Sequence, residues 1–135
     1  LLELGVVPII NENDTVATEE IVIGDNDTLA ARVAQSVGAK LLILLSDIDG
    51  LYTADPHTNP NAKLIPLVRG LDESIKKLAG VSSTTQGTGG MVTKLRAAEL
   101  CFDCGCEMVI ANGNNPAALY DIVEGKPVGT RFAEE

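Results

Sequence analysis

The chain has 135 residues, 45% of them hydrophobic, with 19 acidic against 10 basic side chains and a formal net charge of −9. That length suits one domain, and the composition is globular, neither disordered nor fibrous. The charge balance speaks against a nucleic-acid or acidic-membrane surface, and no apolar run is long enough to span a bilayer.

No basic-then-apolar leader is present, which predicts a cytosolic protein. The acid is unevenly placed: residues 1–31 hold Glu3, Glu12, Asp14, Glu19, Glu20, Asp25 and Asp27 and no lysine or arginine. Residues 1–5 read as the last turn of a helix stopped by Gly5. A domain rarely begins there, so the expectation is a chain cut from something longer. Residues 6–10 form a continuous apolar run that suits a strand buried on both faces, with Pro8 a mark against a central position. Residues 20–23 are a second short β-branched run. The spacing of Leu29, Ala30, Val33, Ala34 and Val37 predicts a helix over 25–37 that ends near Gly38.

Residues 40–45 predict another buried strand, stopping at Ser46 and Asp47. A turn or hairpin is expected over 50–55, a loop over 56–62 and a strand over 64–68. A helix follows over 72–79, with Asp72 near its cap and Gly80 at its stop. A Gly, Ser and Thr-rich loop occupies 80–90. Beyond it lie a helix over 91–104, an apolar strand over 107–111, a helix over 116–123 with Pro116 in its first turn, and a last strand over 128–132. Buried strands alternating with helices predict an α/β sheet with helices on both faces. Ligands gather beyond the carboxyl ends of such strands, so residues 11–14, 46–49, 111–113 and the Gly-rich loop compete for the site.

Cys101, Cys104 and Cys106 invite a metal reading, but a structural zinc site usually needs four ligands and the chain has no second cysteine cluster. Reduced, partly buried thiols near a helix end are expected instead, with no metal. The odd count fits a reducing compartment.

Asn11, Glu12, Asn13 and Asp14 offer acceptors for an ammonium and donors for a carboxylate, the equipment for gripping a zwitterion; a polar turn accounts for them equally well. Asp25, Asn26, Asp27 and Thr28 open a helix and exceed what one N-cap needs. The two carboxylates would repel a phosphate unless lysines or a metal intervene. Ser46, Asp47 and Asp49 end a strand and could meet a nucleotide or a metal, although a polar strand-end turn explains them and a calcium loop would need further ligands. The most informative segment runs from Gly87 to Lys94. Its glycines permit close backbone approach, its N–H groups at a helix start suit an anion, and Lys94 lies about one turn in. It matches neither a Walker A loop nor a dinucleotide fingerprint. Together these features predict a phosphorylated ligand beside a small polar substrate.

The runs PIINENDTVATEEIVIGDNDTLAA, LLSDIDGLYTADPHTNP, GTGGMVTKLRAAELC and IANGNNPAALYDIVEGKPVGTRF, in this order, resemble the glutamate 5-kinases of the amino acid kinase family. The resemblance implies a three-layer αβα sandwich with a mainly parallel sheet, here incomplete. It also implies ATP-dependent phosphorylation of the glutamate side-chain carboxylate to glutamyl 5-phosphate, the first step of proline synthesis, with Mg²⁺ accompanying ATP. By matching position, Asp14 and Asn26 are expected to bind glutamate, and Asp27 to orient catalytic lysines. Ser46 and Asp47 are expected to contact the nucleotide. Thr88, Gly89, Gly90, Met91, Val92, Thr93 and Lys94 are expected to close over ATP, with Lys94 stabilising the transferring phosphoryl group.

The strand, Gly-rich loop and first lysine that open the family's kinase domain do not precede Leu1. The expectation is therefore the C-terminal half of the domain, without the appended PUA domain of many bacterial members, and inactive alone. Its open side is expected to be covered by homo-oligomerisation. A half-domain that holds nucleotide without catalysis, or another family member such as an aspartokinase, are the alternatives.

Overall fold

The computed structural model describes residues 1–11, 26–81 and 90–134. The expected strand over 20–23, the residues 12–14 and 24–25, and most of the Gly-rich loop lie outside the described residues.

Four strands, β1 (Leu41–Ser46), β2 (Leu67–Val68), β3 (Glu107–Asn112) and β4 (Thr130–Phe132), form one sheet in the order β1-β3-β4-β2. β1 pairs with β3 and β2 with β4 in parallel, whereas β3 and β4 run antiparallel, so the sheet is mixed. β3 lies inside the sheet. Met108, Val109, Ile110 and Ala111 are all fully buried, as a continuous apolar run on a strand covered on both faces should be.

Alternate residues divide between two cores. Leu42, Leu44, Met108, Ile110 and Phe132 face α1 (Asn26–Val37), α2 (Glu73–Val81) and α3 (Gly90–Asp103). Leu41, Ile43, Val109 and Ala111 pack with Ile122 of α4 (Ala118–Val123) and with Val128. Helices thus cover both faces, giving three layers around the sheet.

α1 and α3 end by the same device. Gly38 and Gly105 adopt positive φ (62° and 68°), and Ala39 and Cys106 donate their N–H groups to the carbonyls of Ala34 and Cys101. These left-handed glycines turn each helix directly into the strand that follows. α2 starts on Asp72, whose carboxylate accepts the Ile75 N–H at 2.9 Å and the Ser74 hydroxyl at 2.6 Å. These hydrogen bonds hold the Asp72 carboxyl below its ordinary pKa. Contrary to the expectation above, Gly80 does not stop α2. It lacks the left-handed conformation, and the helix continues to Val81.

Several boundaries move. The hairpin expected after Gly50 is present: Tyr52 bridges Leu64, and Thr53 and Ile65 donate to the carbonyls of Lys63 and Leu51. Only Leu67 and Val68 of the 64–68 run belong to the sheet, and only 130–132 of the last run. Pro116 precedes α4, in a turn closed by the Ala118 N–H on the Asn115 carbonyl at 3.0 Å.

The larger correction concerns residues 6–10. They form no strand, and Val7 and Ile9 are 85% and 97% exposed. Pro8 lacks an N–H, and among the described residues no strand offers this run a partner. Beside it lies an apolar cavity of about 830 Å³, lined by Leu2, Pro8, Ile10, Val33, Val37 and Leu41. Along it β1 keeps one edge that no described strand pairs.

Candidate functional site

α1 and α3 each run back alongside the strand that follows them. A 12-residue helix is about 18 Å long and a six-residue strand about 20 Å. The N-termini of α1 and α3 therefore return to the sheet end at which β1 and β3 finish. The positive ends of two helix dipoles and the carboxyl ends of two parallel strands share one side of the molecule.

Small side chains bring the two helices together. Ala31 and Ala34 of α1 and Ala97 and Ala98 of α3 are buried in one core. Asp27 stands one turn before Ala31, and Lys94 one turn before Ala97 and Ala98, so close packing of the alanines draws the polar first turns into contact. Asp27 Oδ2 accepts the Thr93 hydroxyl at 2.7 Å and the Lys94 ammonium at 3.1 Å. The Lys94 and Asp27 side chains are 13% and 21% exposed. Thr93 Oγ1 also lies 3.0 Å from the Gly90 carbonyl. Its one proton favours the nearer, charged carboxylate. A lysine ammonium has three donors, of which Asp27 takes one.

A second group lies at the strand ends. Ser46 and Asn112 are register partners, and the Gly113 N–H donates to the Ser46 carbonyl at 2.8 Å. Ser46 donates its hydroxyl to Asp47 Oδ1 at 3.1 Å. Asp49 accepts from Asn112 Nδ2 at 2.9 Å and from the Tyr52 hydroxyl at 3.0 Å. Asn112 Oδ1 in turn accepts the Asn114 N–H at 2.9 Å. The hydrogen bond to Asp49, with partial burial and the Asp49 charge, pushes the Tyr52 phenol above its ordinary pKa.

Of the residues expected at the site, the fold brings Asp27, Thr93 and Lys94 together. Ser46 and Asp47 bond each other at the end of β1. Asn26 is the exposed first residue of α1, and Gly90 and Val92 are exposed at the start of α3. The Met91 side chain is buried in the core, which leaves its backbone for any ligand. Asp14, Thr88 and Gly89 lie outside the described residues. Sequence reasoning missed the Asp49, Tyr52, Asn112 and Asn114 network. The available signal was two polar strand ends, 46–49 and 111–113, that parallel neighbours would place side by side.

Cys101 and Cys106 are buried and Cys104 exposed, all three reduced. Among the described residues no group of three or more His, Cys, Asp or Glu side chains is placed to hold a metal ion.

Residues 1–112 match the model of the amino acid kinase family. A glutamate 5-kinase of Rhodospirillum rubrum is 61% identical over 125 residues, 93% of this chain and 33% of that protein. A glutamate 5-kinase of Symbiobacterium thermophilum is 54% identical over 135 residues, 100% of this chain and 51% of its own length. The chain spans between about a third and a half of these relatives. Among solved structures, uridylate kinase from Archaeoglobus fulgidus aligns with a TM-score of 0.60 at 24% identity, covering 79% of this chain and 46% of that one. Carbamate kinase from Giardia lamblia bound to AMP-PNP aligns at 0.61 with 21% identity, covering 82% and 36%. At these identities the structural likeness speaks for the fold alone, and it is the same fold to which the sequence match points. The chain belongs to the amino acid kinase family.

Proposed function

We propose that these residues form the C-terminal, nucleotide-side half of the kinase domain of a glutamate 5-kinase. That enzyme transfers the γ-phosphoryl group of ATP to the side-chain carboxylate of glutamate, giving glutamyl 5-phosphate, the first step of proline biosynthesis. The carrying observation is Lys94, held by Asp27 and backed by Thr93 where two helix N-termini meet the strand ends. The relatives at 61% and 54% identity support glutamate as the acceptor.

A carboxylate and a γ-phosphate repel, and the substrate supplies its own nucleophile. Catalysis must therefore come from alignment and positive charge. Asp27 restrains the long Lys94 side chain and leaves two of its donors for phosphoryl oxygens. Thr93 fixes the Asp27 oxygen that does this. Asp14 and Asn26 bind glutamate in this reading, Ser46 and Asp47 meet the nucleotide, and the segment from Thr88 to Val92 closes over it. Mg²⁺, when bound, neutralises charge on the β- and γ-phosphates. Such an ion takes one or two carboxylates besides phosphate oxygens and water. Exposed Asp47 suits that part, whereas both oxygens of Asp49 are engaged. A homo-oligomer belongs to the same proposal, supported by the edge of β1 that no described strand pairs and by the apolar cavity beside it; a cytoplasmic location completes it.

In the intact kinase carrying this segment, hydroxamate forms from glutamate, ATP and hydroxylamine. Lys94→Ala is expected to lower kcat by about 10²–10³-fold, the scale of losing one preorganised donor to a transition state. Asp27→Asn keeps the shape, loses the charge and lowers kcat less, by about tenfold. Near-normal turnover in both variants would overturn the site assignment. The strand end at Ser46 and Asp47 and the start of α3 both lie within this chain, which favours a second reading for the isolated chain, as a half-domain that holds nucleotide without turnover. Calorimetric titration with Mg-ATP separates the two, since binding without hydroxamate formation supports the second.

A further inference from the structure

Asp49 touches neither Lys94 nor Asp27 in the contacts described above, yet it joins segments 63 residues apart in sequence. β1 and β3 finish in register at Ser46 and Asn112, and the chain leaves each strand through a polar turn. One backbone hydrogen bond, from Gly113 to the Ser46 carbonyl, links the two turns at their base. Asp49 adds a charged link further out, through the Asn112 amide.

A carboxylate only accepts, so it forces Asn112 to present its NH₂ group to Asp49. The amide oxygen is thereby aimed at the Asn114 N–H, which it accepts at 2.9 Å and which orders the turn after β3. The Tyr52 hydroxyl engages the second Asp49 oxygen at 3.0 Å and holds the carboxylate in this orientation. Loss of the group at 49 removes the bias and frees both turns, whereas a neutral amide there keeps one acceptor and holds them only in part.

We infer, resting on the kinase reading above, that Asp49 is a positioning residue for the nucleotide. By tying the turn after β1 to the turn after β3, it shapes the floor on which ATP lies. It does not act on the transferring phosphoryl group, because the Lys94, Asp27 and Thr93 centre is built on α1 and α3 and does not depend on it. Its loss therefore weakens binding of ground state and transition state alike, which raises KM and leaves kcat.

The test uses the intact kinase and its Asp49→Ala, Asp49→Asn and Asn112→Ala variants, with ATP and glutamate varied separately. Asp49→Ala is expected to raise KM for ATP about tenfold, the scale of a hydrogen bond to a charged group, with kcat within about twofold and KM for glutamate unchanged. Asp49→Asn, which can still accept from one partner, recovers part of the loss. Asn112→Ala, cut from the opposite strand, reproduces it and serves where Asp49→Ala fails to fold. A difference titration of phenol absorbance, assigned with Tyr52→Phe, should show Tyr52 ionising at lower pH in Asp49→Ala. If Tyr52 shifts while KM for ATP stays at the wild-type value, the network is broken without consequence and the inference falls. A fall in kcat with KM unchanged also overturns it. Wild-type enzyme without ATP-dependent turnover would instead overturn the kinase reading, so the two failures are distinguishable.

Discussion

Cys101, Cys104 and Cys106 share the C-terminal end of α3, and burial separates their chemistry. Cys101 is 1% exposed, and burial, reinforced by the charge of Cys106 and a hydrogen bond with it, pushes its thiol up to about 12 from the usual 9.0. Burial also raises the Cys106 thiol. A raised thiol pKa favours the protonated folded state, so its contribution to stability is complete below about pH 9 and disappears as pH rises toward 12. Urea unfolding midpoints are therefore expected to fall across that window, and Cys101→Ala should flatten the slope. An unchanged slope in the variant would refute the assignment to Cys101. The spacing of the three cysteines showed only that they lie near a helix end. Which thiols are sealed depended on the strand that follows. Thr130 makes the same point: it is fully buried, accepts the Leu51 N–H at 2.8 Å and donates to the Ile65 carbonyl at 2.7 Å, linking the hairpin to β4.

At the scale of elements, the packing of α1 on α3 decides the candidate site. Ala31, Ala97 and Ala98 have no exposed surface, so the helices meet across the smallest side chains and hold Asp27 against Thr93 and Lys94. Ala97→Leu overfills that contact and is expected to cost about 1–3 kcal/mol by chemical denaturation. The same change moves the first turns apart and should lower kcat more than it raises KM. A destabilised variant with full turnover would show that helix spacing does not control the site. The apolar periodicity of α1 and the presence of a helix over 91–104 were legible in the sequence, as were the lysine and the aspartate as candidates. Their pairing was not, because Asp27 and Lys94 are 67 residues apart and meet only through two helices aligned by parallel strands. Residues 6–10 failed in the opposite sense. An apolar run needs a partner strand before its N–H and C=O groups can form a ladder, and the described sheet offers none.

For the molecule as a whole, the open side matters most. The cavity of about 830 Å³ beside α1 and β1 is apolar, and Val37 and Ile10 in its wall are 50% and 54% exposed. Burial of such a surface against further protein is part of the reading proposed above. The isolated chain is expected to bind 8-anilinonaphthalene-1-sulfonate with a strong rise in fluorescence, and Val33→Asp, which places a charge in the cavity wall, should reduce it. No dye binding by the isolated chain would mean that the cavity is closed in solution.

The sequence by itself determined most of the alternation of helices and strands, the apolar run of β1 and the buried run of β3, the caps at Gly38 and Asp72, and the polar residues gathered at strand ends. These follow from local sterics, from apolar periodicity and from the hydrogen-bonding needs of helix termini, all carried within a few neighbouring residues. β1 is only half-buried, with Leu45 exposed, because it lies at the edge of the described sheet. Tertiary structure alone decided the antiparallel placement of β4 against β3, the meeting of Asp27 with Lys94, the Asp49 link to Asn112, and which thiols are buried. Each of these depends on surfaces brought together from distant parts of the chain, and spacing along the sequence does not encode which surface meets which.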